Sequence, residues 1–91
     1  MDNESWSGWI GQVVVVDTSS NFVYIGTLHR VLEHFVEMKD ADAHDRGEGL
    51  STKEQYVMEA KRFGVKPNRK EVSIRKTSIV SVSRLDDILL Y

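Results

Sequence analysis

The first half of the chain alternates hydrophobic and polar residues in a pattern that predicts three consecutive β-strands. Residues 13–16 are four valines in succession, which is typical of a strand with an apolar neighbour on each face. Turn-forming residues at positions 17–21 then precede a long apolar segment at 22–32. After a two-residue turn, the alternation over residues 35–45 predicts the third strand.

Gly26 interrupts the second of these strands. A glycine inside a strand lowers its stability, so it usually marks a bend, a bulge or a close backbone contact. A long strand bent at Gly26 can contribute to two walls of one small barrel, with Tyr24 and Leu28 pointing inward. The spacing also permits a flat meander.

Regular alternation in the third strand predicts two distinct faces. One face holds Phe35, Glu37, Lys39, Ala41 and Ala43, and the other holds Val36, Met38, Asp40, Asp42 and His44. Two carboxylates and an imidazole on one face are possible ligands for a divalent metal. An acid-rich strand end is more commonly a solvated surface, and no second set of ligands is evident, so no metal site is predicted.

Residues 52–63 predict a helix inserted after the third strand. Ser51 has the position of an N-cap, Glu54 completes a capping box, and Gly64 ends the helix. The apolar stripe of the helix is predicted to be a packing face and consists of Tyr56, Val57, Ala60 and Phe63.

The remaining segments complete a single domain over residues 1–91. Two further strands are predicted at residues 71–76 and 79–85. Near the start, Trp6, Trp9 and Ile10 have helical spacing, which indicates one helical turn capped by Ser5. The two tryptophans either cover an open end of a barrel or form a platform for a ligand.

Composition narrows the class of protein. The 91 residues carry a net charge of −2 and are 41% hydrophobic, which supports one modest core. The chain has no cysteine and therefore no disulfide or thiolate zinc site. Its acidic start lacks the apolar run of a secretory signal, and no apolar run approaches the ~20 residues that span a bilayer. A soluble cytoplasmic protein without membrane contact is expected.

Two regions resemble the Sm and Sm-like (LSm) family of small barrels. The first covers residues 13–41 and includes an apolar strand, the sequence Tyr24-Ile25-Gly26-Thr27-Leu28, and a third strand ending Met38-Lys39-Asp40-Ala41. The second covers residues 74–82, Ile74-Arg75-Lys76-Thr77-Ser78-Ile79-Val80-Ser81-Val82, which is similar to the family's closing Ile-Arg-Gly-x-x-Ile-x-x-Ile. The resemblance implies a mainly β fold: a five-stranded, strongly bent antiparallel open β-barrel. The helix occupies the family's variable segment between strands 3 and 4.

The chain departs from the family in the loops that bind uridine. Leu32 stands near the family's Asp, and His34 or Phe35 stands near its Asn. The second RNA-binding loop keeps its arginine, Arg75, but Lys76 replaces the glycine. The resemblance therefore implies an RNA-binding site at His34, Phe35, Arg75 and Lys76, with a weak or altered base preference.

A basic cluster between residues 61 and 76 is the main chemical signal for a nucleic-acid partner. Its positive side chains are Lys61, Arg62, Lys66, Arg69, Lys70, Arg75 and Lys76, against the single acid Glu71. These groups can neutralise phosphates and release counterions, and an aromatic ring nearby can stack on a base. The alternative is a solvated helix end and loop.

Catalysis is not expected. The sequence contains no nucleophile–base motif, no phosphate-cradling glycine loop and no zinc signature, so neither an enzyme nor a cofactor is predicted. Two classes of function remain. One is a ring-forming Sm-like protein that binds single-stranded RNA at a central pore. The other is an oligomeric assembly or protein-interaction module that has lost RNA binding.

The edges of strands 4 and 5 favour a homo-oligomeric ring in either case. Neither segment contains proline, and residues 79–83 carry no charge, so neither edge is protected against pairing. The resemblance implies that strand 4 of one subunit pairs with strand 5 of the next. Such a head-to-tail contact predicts a closed ring of about five to seven subunits.

Overall fold

The predicted order of elements is confirmed in a computed structural model that describes residues 6–45, 47 and 52–90. Its strands are β1 (Val13–Thr18), β2 (Phe22–Val31), β3 (Phe35–Asp45), β4 (Arg69–Arg75) and β5 (Ile79–Arg84), and its helix is α1 (Lys53–Phe63). Short 3-10 turns are found at Ser7–Trp9, Lys76–Ser78 and Leu85–Asp87.

The five strands form one open antiparallel sheet in the order β4-β3-β2-β1-β5. Strands β4 and β5 are therefore the two edges, as predicted. Ile74 of β4 belongs to the same hydrophobic cluster against which Ile79 and Val82 of β5 pack. Residues from both edge strands therefore contribute to one hydrophobic cluster.

Two hydrophobic clusters cover the two faces of the sheet. The inner cluster consists of Trp6, Val14, Val16, Leu28, Val36, Met38, Ala41 and Ile74. The outer cluster joins the sheet to α1 and the C-terminal turn, and it consists of Val15, Val23, Ile25, Val57, Ala60 and Leu85. Burial on both faces explains why β1 is a run of valines and does not alternate with polar residues.

Gly26 lies at a close contact between β2 and β3, which is one of the three features that a glycine inside this strand predicted. A Cβ at this position would lie 2.7 Å from the Cα of Ala41 and 3.0 Å from the carbonyl oxygen of Lys39. The pairing of β2 with β3 shifts register across Gly26, between Ile25 and Thr27, and again between Leu28 and Arg30. Leu28 is fully buried in the inner cluster, and Tyr24 packs against that cluster from a half-buried position.

The prediction of two regular faces along β3 is wrong at Asp40. This residue has a positive φ of 48° and lies where the register against β2 shifts, which is the geometry of a β-bulge. The bulge changes the parity of the strand, so Val36, Met38 and Ala41 all join the inner cluster. Asp42, by contrast, lies beside α1.

The helix begins one residue later than its capping motif predicted. Thr52 is the N-cap: its hydroxyl accepts a hydrogen bond from the backbone N–H of Gln55 at 3.1 Å, and the Gln55 side chain accepts one from the N–H of Thr52 at 2.9 Å. The predicted cap Ser51 lies outside the described residues. Gly64, with a φ of 90°, ends the helix as expected.

The apolar stripe of α1 is only partly a packing face. Val57 and Ala60 are buried against the sheet, and Tyr56 packs beside them. The side chain of Phe63 is 76% exposed, so the prediction that it packs with the others is wrong.

The N-terminal tryptophans close the inner cluster. Trp6 is 2% exposed and is part of that cluster, while Trp9 is half-buried beneath Arg84, whose Cζ lies 4.5 Å from its ring centroid. Both rings therefore pack on the domain itself, and their role in covering an open end of a barrel stays a prediction. The predicted helical turn is a 3-10 turn, and its predicted cap Ser5 lies outside the described residues.

Candidate nucleic-acid interface

A tight turn between β2 and β3 presents the first pair of predicted site residues. The N–H of Leu32 donates a hydrogen bond to the carbonyl of Phe35 at 2.8 Å, so Glu33 and His34 alone form the tip of the hairpin. Both tip residues are exposed, and their side chains approach to 3.9 Å. The short turn holds His34 at the surface and Phe35 at the first position of β3.

The end of β4 brings the second pair to the same place. Phe35 is the pairing partner of Arg75 in the sheet, and the N–H of Lys76 donates to the carbonyl of His34 at 2.9 Å. The four predicted residues thus form one continuous surface, although the two segments are distant in the sequence. We call this surface the hairpin–β4 surface; it consists of His34, Phe35, Arg75 and Lys76.

Arg75 and Phe35 have the geometry of a cation–π pair. The Cζ of Arg75 lies 5.0 Å from the centroid of the Phe35 ring. Arg75 is exposed, and no carboxylate in the described part of the chain lies within ion-pair distance of it. Its guanidinium is therefore held in place by a neutral ring, and its charge is available to an anionic ligand.

Two other cationic residues near Arg75 are less exposed to a ligand or already paired with an acid. Lys76 is half-buried and lines a small cavity with Trp6 and Val82. Arg30, on β2, is bound to Glu37 on β3, with an Nε–Oε1 distance of 2.6 Å. This hydrogen bond from Arg30 lowers the pKa of Glu37, so the pair remains ionised and its two charges largely cancel.

The predicted basic cluster is divided by the fold. Arg69 and Arg75 are the first and last residues of β4, and six residue steps along a strand separate them by about 20 Å. Lys61, on α1, donates a hydrogen bond to the carbonyl of Asp86 at the C-terminal turn. Only Arg75 and Lys76 of the seven cationic residues therefore belong to the hairpin–β4 surface.

The residues considered as metal ligands have other partners. The Tyr56 hydroxyl donates a 2.6 Å hydrogen bond to Asp42, and the ring of His44 stacks on that of Tyr56 with centroids 3.9 Å apart. Asp40 is exposed at the bulge and takes no part in these contacts. Among residues 6–45, 47 and 52–90, no group of three His, Asp or Glu side chains has the arrangement of a metal site.

A cavity that the sequence did not predict lies between β3 and the second half of α1. Its volume is about 120 Å³, and its lining residues are Asp42, Tyr56, Glu59, Ala60, Phe63, Gly64 and Lys66. The only signal in the sequence was the acid-rich end of β3, because the position of the helix against that end depends on tertiary packing.

Comparisons with known proteins do not assign the chain to a family. No protein-family model matches it, and no curated protein matches it either. Among the described residues, no helix has the length and apolar character required to cross a membrane.

Proposed function

We propose that this chain is a non-enzymatic, ring-forming Sm-like protein that binds single-stranded RNA through His34, Phe35, Arg75 and Lys76. The open five-stranded sheet forms the small barrel of that family, and the hairpin–β4 surface faces a central pore. The protein acts in the cytoplasm and requires no cofactor. The fold itself does not fix this function, so the proposal depends on the chemistry of the surface.

The proposal rests on the contact between the hairpin turn and the end of β4. It combines an exposed guanidinium, Arg75, with an aromatic ring, Phe35, at a centroid distance of 5.0 Å, and with the exposed imidazole of His34. Single-stranded RNA is recognised by such combinations, because bases stack on rings and guanidinium planes while cations bind phosphates.

Two unpaired strand edges support the ring. In the described residues β4 and β5 each pair with one neighbour only, so each has a row of backbone groups available to another chain. Val80 on β5 is 66% exposed, so this edge also presents an apolar side chain that a neighbouring subunit could cover. Pairing of β4 with β5 of the next subunit would cover both features and give a ring of about five to seven members.

The proposal is tested by RNA binding at several salt concentrations. Fluorescent oligouridine, oligocytidine and oligoadenosine are titrated with the wild type and with Arg75→Ala/Lys76→Ala. The double variant is expected to bind more weakly to all three. Its salt dependence should be shallower by about 0.7 for each phosphate that the two side chains no longer neutralise.

The matched control is Arg62→Ala/Lys66→Ala, which removes the same charge from exposed positions on α1 and the connector after it. If Arg62→Ala/Lys66→Ala weakens RNA binding as much as Arg75→Ala/Lys76→Ala does, the net charge of the protein and not the hairpin–β4 surface governs binding. If no oligonucleotide binds at low salt while the ring persists, RNA binding is wrong and the assembly module is the better description.

A further inference from the structure

The cavity between β3 and α1 has a lining that differs in chemistry from the hairpin–β4 surface. Asp42 contributes from the end of β3, and Glu59 and Phe63 contribute from the last two turns of α1. Lys66, on the connector, is the one cationic residue of the lining. A cavity of about 120 Å³ has the volume of roughly four water molecules, which is enough for the planar head of one side chain.

The charge of this cavity is predominantly negative. Neither Asp42 nor Glu59 lies within ion-pair distance of a lysine or arginine in the described part of the chain. The cavity also lies at the C-terminal end of an 11-residue helix, where the backbone dipoles place partial negative charge. Two carboxylates and a helix C-terminus together favour a cationic ligand over an anionic one.

Tyr56 fixes one carboxylate of the cavity. Its hydroxyl donates to one oxygen of Asp42 at 2.6 Å, and its ring is in turn held by the stacked ring of His44. Burial raises the pKa of Tyr56, and the hydrogen bond and charge of Asp42 raise it further, so the phenol remains a donor at neutral pH. The Asp42 carboxylate is therefore oriented before any ligand arrives.

Phe63 gives the cavity an aromatic rim. Its side chain is 76% exposed and belongs to neither hydrophobic cluster, so packing of this domain does not explain it. An aromatic face beside a carboxylate is the environment that a guanidinium prefers, because the ring attracts its flat face while the oxygens accept its N–H groups.

We propose that this cavity binds the arginine side chain of a partner protein, with Asp42 and Glu59 accepting from the guanidinium and Phe63 covering its face. The occupant is identified by charge complementarity and by the planar shape that the ring and the carboxylates would enclose. The site is independent of RNA binding, because it lies beside the start of β4 and Arg75 lies at the other end.

Short peptides test this proposal directly. The ¹⁵N-labelled protein is titrated with acetyl-Gly-Arg-Gly-amide and followed by NMR. Saturable shifts of the cavity residues are expected, with a dissociation constant on the order of millimolar for so small a ligand. The same peptide with citrulline, which has the shape of arginine without its charge, should bind at least about tenfold more weakly. The lysine peptide should be intermediate.

Variants locate the site and distinguish it from an anion site. The affinity for the arginine peptide should fall by about three- to fivefold in Glu59→Gln and in Phe63→Leu. It should be unchanged in Glu54→Gln, which alters a carboxylate at the start of the same helix. Lys66→Ala should strengthen binding by about twofold, because it removes the competing cation.

Several results would overturn the proposal. These are equal binding of the citrulline peptide, equal effects of Glu59→Gln and Glu54→Gln, or no saturable shift at all. Weaker peptide binding by Lys66→Ala, together with displacement of the peptide by short oligonucleotides, would show that the cavity takes phosphate and not arginine.

Discussion

The hydroxyl of Tyr56 donates a 2.6 Å hydrogen bond to the carboxylate of Asp42, which links the inserted helix to the end of β3. Each partner lies on an element that contributes to the cavity. The contact therefore stabilises the packing of α1 and also determines the direction of the Asp42 oxygens. Its loss should be measurable both in the free energy of unfolding and in the pH dependence of that free energy.

Alkaline pH should lower the free energy of unfolding through Tyr56, because the phenol ionises more readily in the unfolded chain than in the folded protein. Burial and the neighbouring Asp42 raise the pKa of Tyr56 above its ordinary value of 10.0. A group whose pKa is raised by folding contributes its stability below the unfolded pKa and loses it as pH rises toward the folded pKa. Above pH 10.0, the free energy of unfolding should fall by up to about 1 kcal/mol per pH unit, after allowance for solvent screening at this partly exposed ring.

Urea unfolding between pH 8 and about pH 11 measures this effect. Tyr56→Phe should be less stable at neutral pH by about 1 kcal/mol and should decline less steeply in alkali. Tyr24→Phe is the control, because the Tyr24 hydroxyl has no carboxylate partner among the described residues. A decline of the same slope in wild type and Tyr56→Phe would contradict the assignment.

Gly26 should tolerate no larger residue. A Cβ there would lie 2.7 Å from the Cα of Ala41, which belongs to backbone that the sheet holds in place. Gly26→Val should therefore lower the free energy of unfolding by about 1–3 kcal/mol or prevent folding. Thermal unfolding followed by circular dichroism is the measurement.

Gly8→Ala provides the control for this substitution. No atom lies within 4 Å of a Cβ placed at Gly8, and its φ is not positive. The midpoint of unfolding of Gly8→Ala should stay close to that of the wild type. An unchanged midpoint in Gly26→Val would show that the backbone of β3 leaves room for a side chain at this position of β2.

Val80 should be essential to the proposed ring. Analytical ultracentrifugation of the 10.4 kDa chain at micromolar concentration is expected to give a species of roughly 50–70 kDa, which corresponds to about five to seven subunits. Val80→Lys places a charge on the exposed edge of β5 and should shift the protein to smaller species.

Leu89→Lys makes the same chemical change at a residue that is 69% exposed and lies beyond the last strand. This control should sediment as the wild type does. A wild-type monomer near 10 kDa would contradict the ring and the position of Arg75 at a pore.

Local patterns in the sequence specify the elements of the fold and their order. The valine run of β1 and the alternation in β2 and in the first half of β3 are local patterns, and they specify extended strands. Gly26 indicated a possible close contact within the sheet, because glycine is required wherever a neighbouring backbone leaves no room for a Cβ. That residues 34–35 and 75–76 belong to one site was expected only through the resemblance to Sm-like proteins, and their pairing in the sheet was not predicted.

Other features depend on contacts between distant segments, and no local pattern specifies them. The bulge at Asp40 reverses the alternation of β3, since β3 has one extra residue there against β2, and no local pattern specifies where an extra residue is absorbed. The capping box shifted from Ser51 to Thr52, because adjacent residues have nearly equal capping ability and helix packing selects between them. Packing also buried Trp6 and left Phe63 exposed beside the Asp42 cavity, because burial is a property of the whole fold and not of the residue type.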